Sequence, residues 1–149
     1  MSLDLIYQCP KTFGKIYQTS YREIPHDLAA AGLQLAVFTA SECPPLNHHV
    51  GATLSYQPNE DKQADSSSPA YKKMLESAQK ASKVVAEAIA QGKNVVVTCH
   101  QGINRSSLVT ALAIKRISSL TAWEIINLLK TKRQGVLTNG SFMTMILTS

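Results

Sequence analysis

The sequence predicts an α/β fold in which helices flank a central, twisted and mostly parallel sheet. Short apolar segments typical of buried strands alternate with longer segments of helical periodicity. A long helical pattern ends at Gly92 and is followed directly by the apolar segment "NVVV", as in a β–α–β unit. The remaining helical patterns come after this strand, which indicates helices clustered against the sheet.

The first half of the chain is predicted to supply most of the sheet. We predict strands at residues 3–8, 14–20, 33–40 and 50–56. Residues 25–32 are predicted to form a short helix, because a proline stands near its start and a glycine follows its end. Residues 57–69 are polar, bounded by prolines and without period, so they predict a long loop of the kind that carries function.

The second half is predicted to be mainly helical. An apolar face over residues 70–91 predicts a long helix, and residues 94–99 predict a fully buried strand. The next helix, at 106–117, is apolar nearly all round and should be central. "TAWE" predicts a capping box that starts a helix at residue 121, and Asn139 is expected to cap a last short helix.

Length and composition bound the class of protein. With 149 residues, the chain is expected to form one domain over 1–149 with a core of its own. No apolar run approaches about 18 residues, and no secretory pattern is seen, so no membrane association is expected. Three widely spaced cysteines argue against a disulfide framework and for a reducing, cytoplasmic location. The net charge of +5 favours anionic partners.

The segment "NVVVTCHQGINRSS" carries the chemistry. A buried strand ends at Cys99, a short polar loop follows, and a helix begins near Arg105. The first N–H groups of a helix lack partners and attract oxyanions, and an arginine grips two phosphate oxygens at once. The same surroundings favour a thiolate, so Cys99 is predicted to be a nucleophile beside a phosphate site.

This strand–loop–helix context resembles the signature loop of the cysteine-based protein tyrosine phosphatases. Cys99 and Arg105 stand at the spacing of that loop, with Gly102 within it and Ser106 directly after the arginine. The dual-specificity branch is the most similar, since it is short and carries the loop about two-thirds along the chain. "TC-x-x-GINRS" is also similar to loops of small bacterial and phage-encoded phosphatases.

The resemblance implies a role for each residue of the loop. Cys99 would attack phosphorus and form a phosphocysteine, and the Ser106 hydroxyl would assist the sulfur as leaving group. Phosphate would be bound by the Arg105 guanidinium and by the backbone amides of the loop. The phosphate-binding residues are therefore His100, Gln101, Gly102, Ile103, Asn104 and Arg105. Because these groups neutralise the phosphate, neither a metal nor a cofactor is expected.

The resemblance also implies a loop aspartate that protonates the leaving oxygen and then activates water. Asp61 and Asp65 both lie in the predicted loop, between thirty and forty residues before Cys99. Asp61 is favoured because it follows the strand and Pro58 as in the family. Asp65 is kept as the alternative general acid.

Two positions depart from the family pattern. Thr98 stands where the family usually has a histidine, which predicts weaker tuning of the thiol rather than inactivity. Asn104, in "GINR", resembles the loop of the RNA 5′-triphosphatase members, so the 5′ end of RNA is an alternative substrate.

The expected function is therefore hydrolysis of phosphomonoesters, namely phosphotyrosine and, as a further prediction, phosphoserine and phosphothreonine in proteins. Three alternatives stay open: an RNA 5′-phosphatase, a phosphate-binding module without turnover, and a sulfurtransferase that uses a persulfide on Cys99. The sequence does not predict an oligomeric state.

Overall fold

The computed structural model describes residues 3–149, and its sheet and helices follow from the apolar pattern of the chain. The strands are β1 (Asp4–Gln8), β2 (Lys15–Ser20), β3 (Leu35–Ala40), β4 (Thr53–Asn59) and β5 (Val95–Cys99). The helices are α1 (Pro69–Ala90), α2 (Arg105–Ile117), α3 (Ala122–Lys132) and α4 (Gly140–Thr148). No helix within 3–149 is long and apolar enough to cross a membrane.

The five strands form one sheet in the order β1-β2-β5-β3-β4. Only the β1–β2 pair is antiparallel, and the other three pairs are parallel, so the predicted α/β fold with a mostly parallel sheet is confirmed. β5, the most apolar strand, lies at the centre and is buried along its whole length. Its carboxyl end, which carries Cys99, therefore opens between the ends of two neighbouring strands.

Alternation along the strands separates two cores. Val95 and Val97 face the four helices, and Val96 faces the opposite side with Phe38. α2 is buried at every position from Arg105 to Ile114 between the sheet and the other helices, as its all-round apolar pattern predicts. The start of this helix is thereby held rigidly under the end of β5.

The predicted helix at 25–32 is wrong. The segment is a series of turns, in which the Asp27 carboxylate accepts from the Ala30 N–H at 3.1 Å. Asp27 also forms a parallel bridge with Val50, which occupies backbone groups that a helix would use differently. The apolar residues of this segment, such as Leu28, cover the second face of the sheet.

The boundaries of the acidic loop also differ from those predicted. β4 begins three residues later than expected and continues to Asn59, so the loop covers residues 60–68. Ser68 ends it by accepting a hydrogen bond from the Tyr71 N–H at the start of α1. The predicted caps of α3 and α4, a Thr121–Glu124 capping box and Asn139, are both confirmed.

Candidate active site

The signature loop joins the central strand to the central helix. β5 ends at Cys99, residues 100–104 form the loop, and Arg105 is the first residue of α2. No side chain caps this helix at Asn104, so the N–H groups of its first turn are not used by an N-cap side chain.

The loop holds its carbonyl groups away from the cavity that it surrounds. Every carbonyl oxygen of residues 100–104 accepts a hydrogen bond from a residue that does not line the cavity. The bonds are Tyr21 N–H to His100 (3.2 Å), the Arg133 guanidinium to Gln101 (3.1 Å) and Gly102 (2.8 Å), Leu137 N–H to Ile103 (3.0 Å) and Leu108 N–H to Asn104 (2.9 Å). Because the C=O and N–H of a trans peptide point in opposite directions, the N–H groups of residues 101–105 point inward.

The cavity has a volume of about 90 Å³. That is the space of about three water molecules, which suits one tetrahedral oxyanion. Its lining combines the thiol, the loop and one carboxylate: Asp61, Cys99, His100, Gln101, Ile103, Asn104 and Arg105. The structure thus brings Asp61 to the loop, as the sequence argument favoured.

Gly102 is required for the shape of the loop. Its φ of +69° lies in the left-handed region that favours glycine. A Cβ at this position would lie 2.8 Å from the Thr19 carbonyl and 2.7 Å from the Arg133 guanidinium. The loop therefore packs on β2 and on Arg133 at a distance that only glycine allows.

Arg105 is buried and held by a carboxylate that the sequence analysis missed. Its Nη1 and Nη2 each donate to a different oxygen of Glu42 at 2.6 Å, in a bidentate pair. Nη1 also donates to the Asn59 carbonyl at 3.1 Å. Glu42 follows β3 at the same sheet edge as Cys99, because β3 and β5 are parallel neighbours.

These bonds leave one edge of the guanidinium unused. Of the five N–H donors of an arginine, Glu42 and Asn59 take three. The buried Nε–H has no hydrogen-bond partner within the described part of the chain, and one Nη2 hydrogen also stays available. The Nε–Nη2 edge has the fork geometry that binds two oxygens of a phosphate.

The Glu42–Arg105 pair fixes the charge of both groups. Hydrogen bonding from Arg105 lowers the pKa of Glu42 to about 2. Burial lowers the pKa of Arg105, but the hydrogen bonds and charge of Glu42, with the charges of Cys99 and Asp61, raise it above its ordinary value overall. The guanidinium is therefore a permanent cation beside the thiol.

Cys99 is nearly buried, with 3 % of its surface exposed, and packs against Cys43 and Ala40. Its sulfur lies 3.3 Å from the Ser106 hydroxyl, which is within hydrogen-bonding distance for sulfur. All three cysteines of the chain are free thiols. The predicted grouping of Cys99, Arg105 and Ser106 around one site is thus present in the structure.

The two candidate acids differ in position. Asp61 lines the cavity, where its two oxygens accept from the side-chain amides of Asn104 (3.0 Å) and Asn139 (2.8 Å). Asp65 instead accepts from the N–H and hydroxyl of Ser67, before α1, and does not line the cavity.

The two departures from the family pattern have structural roles. The Thr98 hydroxyl donates to the Thr19 carbonyl at 2.9 Å and so ties β5 to β2. The Asn104 amide donates to Asp61, and its oxygen accepts from the N–H groups of Thr138 (2.9 Å) and Asn139 (3.0 Å). Asn104 therefore connects the loop, the carboxylate and the start of α4.

Four residues of the site were not predicted as such, although one of them, Asn139, was predicted as a helix cap: Glu42, Arg133, Asn139 and Gln18. Glu42 had a signal, since it lies two residues after the predicted strand 33–40, in a sheet predicted to be mostly parallel like the strand that ends at Cys99. Gln18 also had one, because it is a polar residue at an inward position of a strand. Arg133 and Asn139 had none, because their contacts depend on how α3 and α4 return to the loop.

The structure is thus an α/β domain that sets a thiol beside inward-pointing amides and a fixed cation, and such a combination favours anions. The chain belongs to the dual specificity phosphatase family: the family model for the catalytic domain matches residues 16–149. No curated protein sequence matches the chain.

Solved structures share the fold at low sequence identity. A variant of human DUSP28 superposes with a TM-score of 0.75 at 19 % identity, covering 96 % of this chain and 91 % of that one. A mouse putative dual specificity phosphatase, complexed with zinc tungstate, gives 0.74 at 19 %, covering 88 % and 79 %. Tk-PTP in its active form gives 0.71 at 19 %, covering 98 % and 95 %.

The first prediction concerns Glu42 and acid stability. Its pKa is lowered from 4.5 to about 2, so the pair stabilises the fold above pH 4.5, and this contribution is lost as pH falls towards 2. We expect Glu42→Gln to lower the free energy of unfolding by about 1 kcal/mol or less near neutral pH, because the carboxylate is 48 % exposed and screened. The difference should vanish towards pH 2 in urea titrations.

Glu76→Gln, which changes an exposed carboxylate on α1, is the control. A destabilisation by Glu42→Gln that does not depend on pH would contradict the argument.

The second prediction concerns Arg133, which holds two loop carbonyls outward. Arg133→Ala should weaken binding of inorganic phosphate about tenfold in calorimetry, because the loop amides lose their fixed orientation. Arg116→Ala removes an arginine that binds Ser82 and Gln79 of α1, so it controls for general destabilisation. Equal phosphate affinity in the two variants would count against a role for Arg133 in the loop.

Proposed function

We propose that the protein hydrolyses phosphomonoesters through a phosphocysteine intermediate on Cys99. Membership of the dual specificity phosphatase family supports a phosphatase. The observation that carries the proposal is the unused Nε–Nη2 edge of Arg105, whose side chain lines the same small cavity as the sulfur. Buried N–H donors that lack an acceptor cost free energy of folding unless a ligand binds them. A phosphate supplies two oxygens that match the Nε–Nη2 edge.

In the first step, the Cys99 thiolate attacks phosphorus, an S–P bond forms, and the ester P–O bond breaks. The inward amides and Arg105 bind the three remaining oxygens, where charge develops in the transition state. Asp61 gives its proton to the leaving oxygen, so the alcohol or phenol departs neutral. Its position on the cavity lining supports this role.

In the second step, the Asp61 carboxylate accepts a proton from a water molecule that attacks phosphorus. The S–P bond breaks, and phosphate and the Cys99 thiolate are released. A hydrogen bond from Ser106, 3.3 Å from the sulfur, stabilises the departing thiolate. The cycle needs no metal, because Arg105 and the loop amides neutralise the phosphate.

The proposed substrates are phosphotyrosine and, as a second class, phosphoserine and phosphothreonine in proteins. The mouse relative is a complex with zinc tungstate, and a tetrahedral oxyanion is the ligand that we propose for this cavity. The RNA alternative rested on Asn104, whose amide here binds Asp61 and the start of α4. A panel of phosphopeptides and triphosphorylated RNA separates these substrates.

Turnover of an aryl phosphate tests the nucleophile. Cys99→Ser should abolish hydrolysis while leaving the free energy of unfolding nearly unchanged, because serine is similar in size but a far weaker nucleophile. Acid quenching of the wild-type enzyme should trap phosphate on Cys99, identified by mass spectrometry. Tight phosphopeptide binding without turnover in the wild type would instead favour a binding module.

A pair of variants tests the general acid. Asp61→Ala should lower kcat by about 10² to 10⁴, with the larger loss for an alkyl phosphate, whose leaving group needs the proton most. Asp65→Ala, in the same loop but outside the cavity, should leave kcat nearly unchanged. The reverse order of effects would assign the acid to Asp65.

A further inference from the structure

Gln18 is a buried amide in the second strand. Its side chain is fully buried, and its strand pairs it with Val97 of β5, two residues before Cys99. A glutamine in such a position needs hydrogen-bond partners, because an unpaired buried amide costs about 1 to 3 kcal/mol. The surroundings of this amide therefore indicate what the side chain is for.

The nitrogen end of Gln18 lies beneath the start of α2. Nε2 lies 3.0 Å from the Ser107 hydroxyl, 3.2 Å from the Ser106 hydroxyl and 3.5 Å from the Gly102 carbonyl. A carbonyl oxygen only accepts, which fixes the nitrogen rather than the oxygen on this side. Oε1 has no hydrogen-bond partner within residues 3–149, so the nitrogen contacts determine the position of the amide.

The hydroxyl of Ser106 contacts both the Gln18 amide and the sulfur of Cys99. Its oxygen accepts from Gln18, and a hydroxyl carries a single donor hydrogen. The sulfur of Cys99 lies 3.3 Å from the same oxygen. A thiolate carries no hydrogen and can only accept, so once Cys99 is ionised the hydrogen between the two atoms is that of the Ser106 hydroxyl, and the Gln18 amide holds the serine oxygen in place for this contact.

No other described side chain has this contact with the sulfur. The Thr98 hydroxyl, the nearest in sequence, donates to Thr19 instead. The charged and titratable groups around the thiol are Arg105, Glu42, Cys43, Asp61 and His100, with Tyr21 packed nearby. The hydrogen bonds of the Gln18 side chain go to Gly102, Ser106 and Ser107 and to none of these groups.

We propose that Gln18 is a positioning residue that directs the Ser106 hydroxyl hydrogen to the sulfur of Cys99. The thiolate is then stabilised before it attacks phosphorus and again when it leaves. The consequence for turnover rests on the proposed phosphatase function. The consequence for the ionisation of Cys99 does not depend on that function, so alkylation of the thiol is the measurement that tests it.

The experiment is a double-mutant cycle read by the pH profile of Cys99 alkylation. Wild type, Gln18→Leu, Ser106→Ala and the double variant react with iodoacetamide from pH 4 to 9, and mass spectrometry quantifies the Cys99 adduct. The adducts of Cys9 and Cys43, both buried, report any general loosening of the fold in the same samples. Gln57→Leu is the matched control, since this glutamine donates to Ser55 on β4 at 3.0 Å, away from the loop.

Gln18→Leu should raise the pH midpoint of Cys99 alkylation by about half to one unit, because a hydrogen bond to the thiolate is weakened. The shift should disappear in the Ser106→Ala background, and Gln57→Leu should show none. Gln18→Met, which keeps the length without a donor, serves if the leucine variant does not fold.

An equal shift with and without Ser106 would overturn the proposal, since Gln18 would then act on the loop as a whole. An unchanged midpoint in both Gln18 variants would overturn it as well. Failure of the proposed function is a separate result: a wild type that shows this alkylation pattern but hydrolyses no phosphomonoester would refute the phosphatase and leave the role of Gln18 intact.

Discussion

The outward bonding of the loop carbonyls is the constraint on which the site depends. Five consecutive carbonyl groups are held by Tyr21 directly after β2, by α2, by Arg133 at the end of α3 and by the segment before α4, so the adjoining amides all point to one cavity. A free loop of five residues would not keep that arrangement, because each peptide plane costs conformational entropy to fix. The helices after β5 thus serve the site as much as the core, since two of the bonds come from a single arginine at the end of α3.

The buried guanidinium adds a second constraint. Removing a cation from water costs several kcal/mol unless it is paired and hydrogen-bonded. Glu42 meets that need on one edge of Arg105 only, and the other edge is left for a ligand. A carboxylate on both edges would have satisfied the cation and closed the cavity. Arg105 is therefore stabilised within the fold on one edge of its guanidinium and keeps donors free on the other edge.

The sequence was most informative where one local pattern determines the outcome. The apolar run of β5, the all-round apolar α2 and the Thr121 capping box each gave the correct element, because a few neighbouring residues suffice to fix it. The helix predicted at residues 25–32 does not form, since the backbone groups of His26 and Leu28 bond to Val50, far along the chain. The site divides in the same way: the loop residues follow from their spacing, whereas Glu42, Arg133 and Gln18 act through strand neighbours and returning helices that spacing does not describe.

Asn104 shows how the site is coupled to the rest of the fold. One amide donates to Asp61 and accepts from the backbone at the start of α4, while Asn139 holds the other oxygen of the same carboxylate and caps α4. The loop after β4, the signature loop and the last helix therefore meet at one carboxylate. Because each bond shares a partner with another, displacing any of the three segments disturbs the remaining two. Asn104 in "GINR" thus has a role within the chain: its amide holds the carboxylate of Asp61 at the lining of the cavity that also contains the thiol.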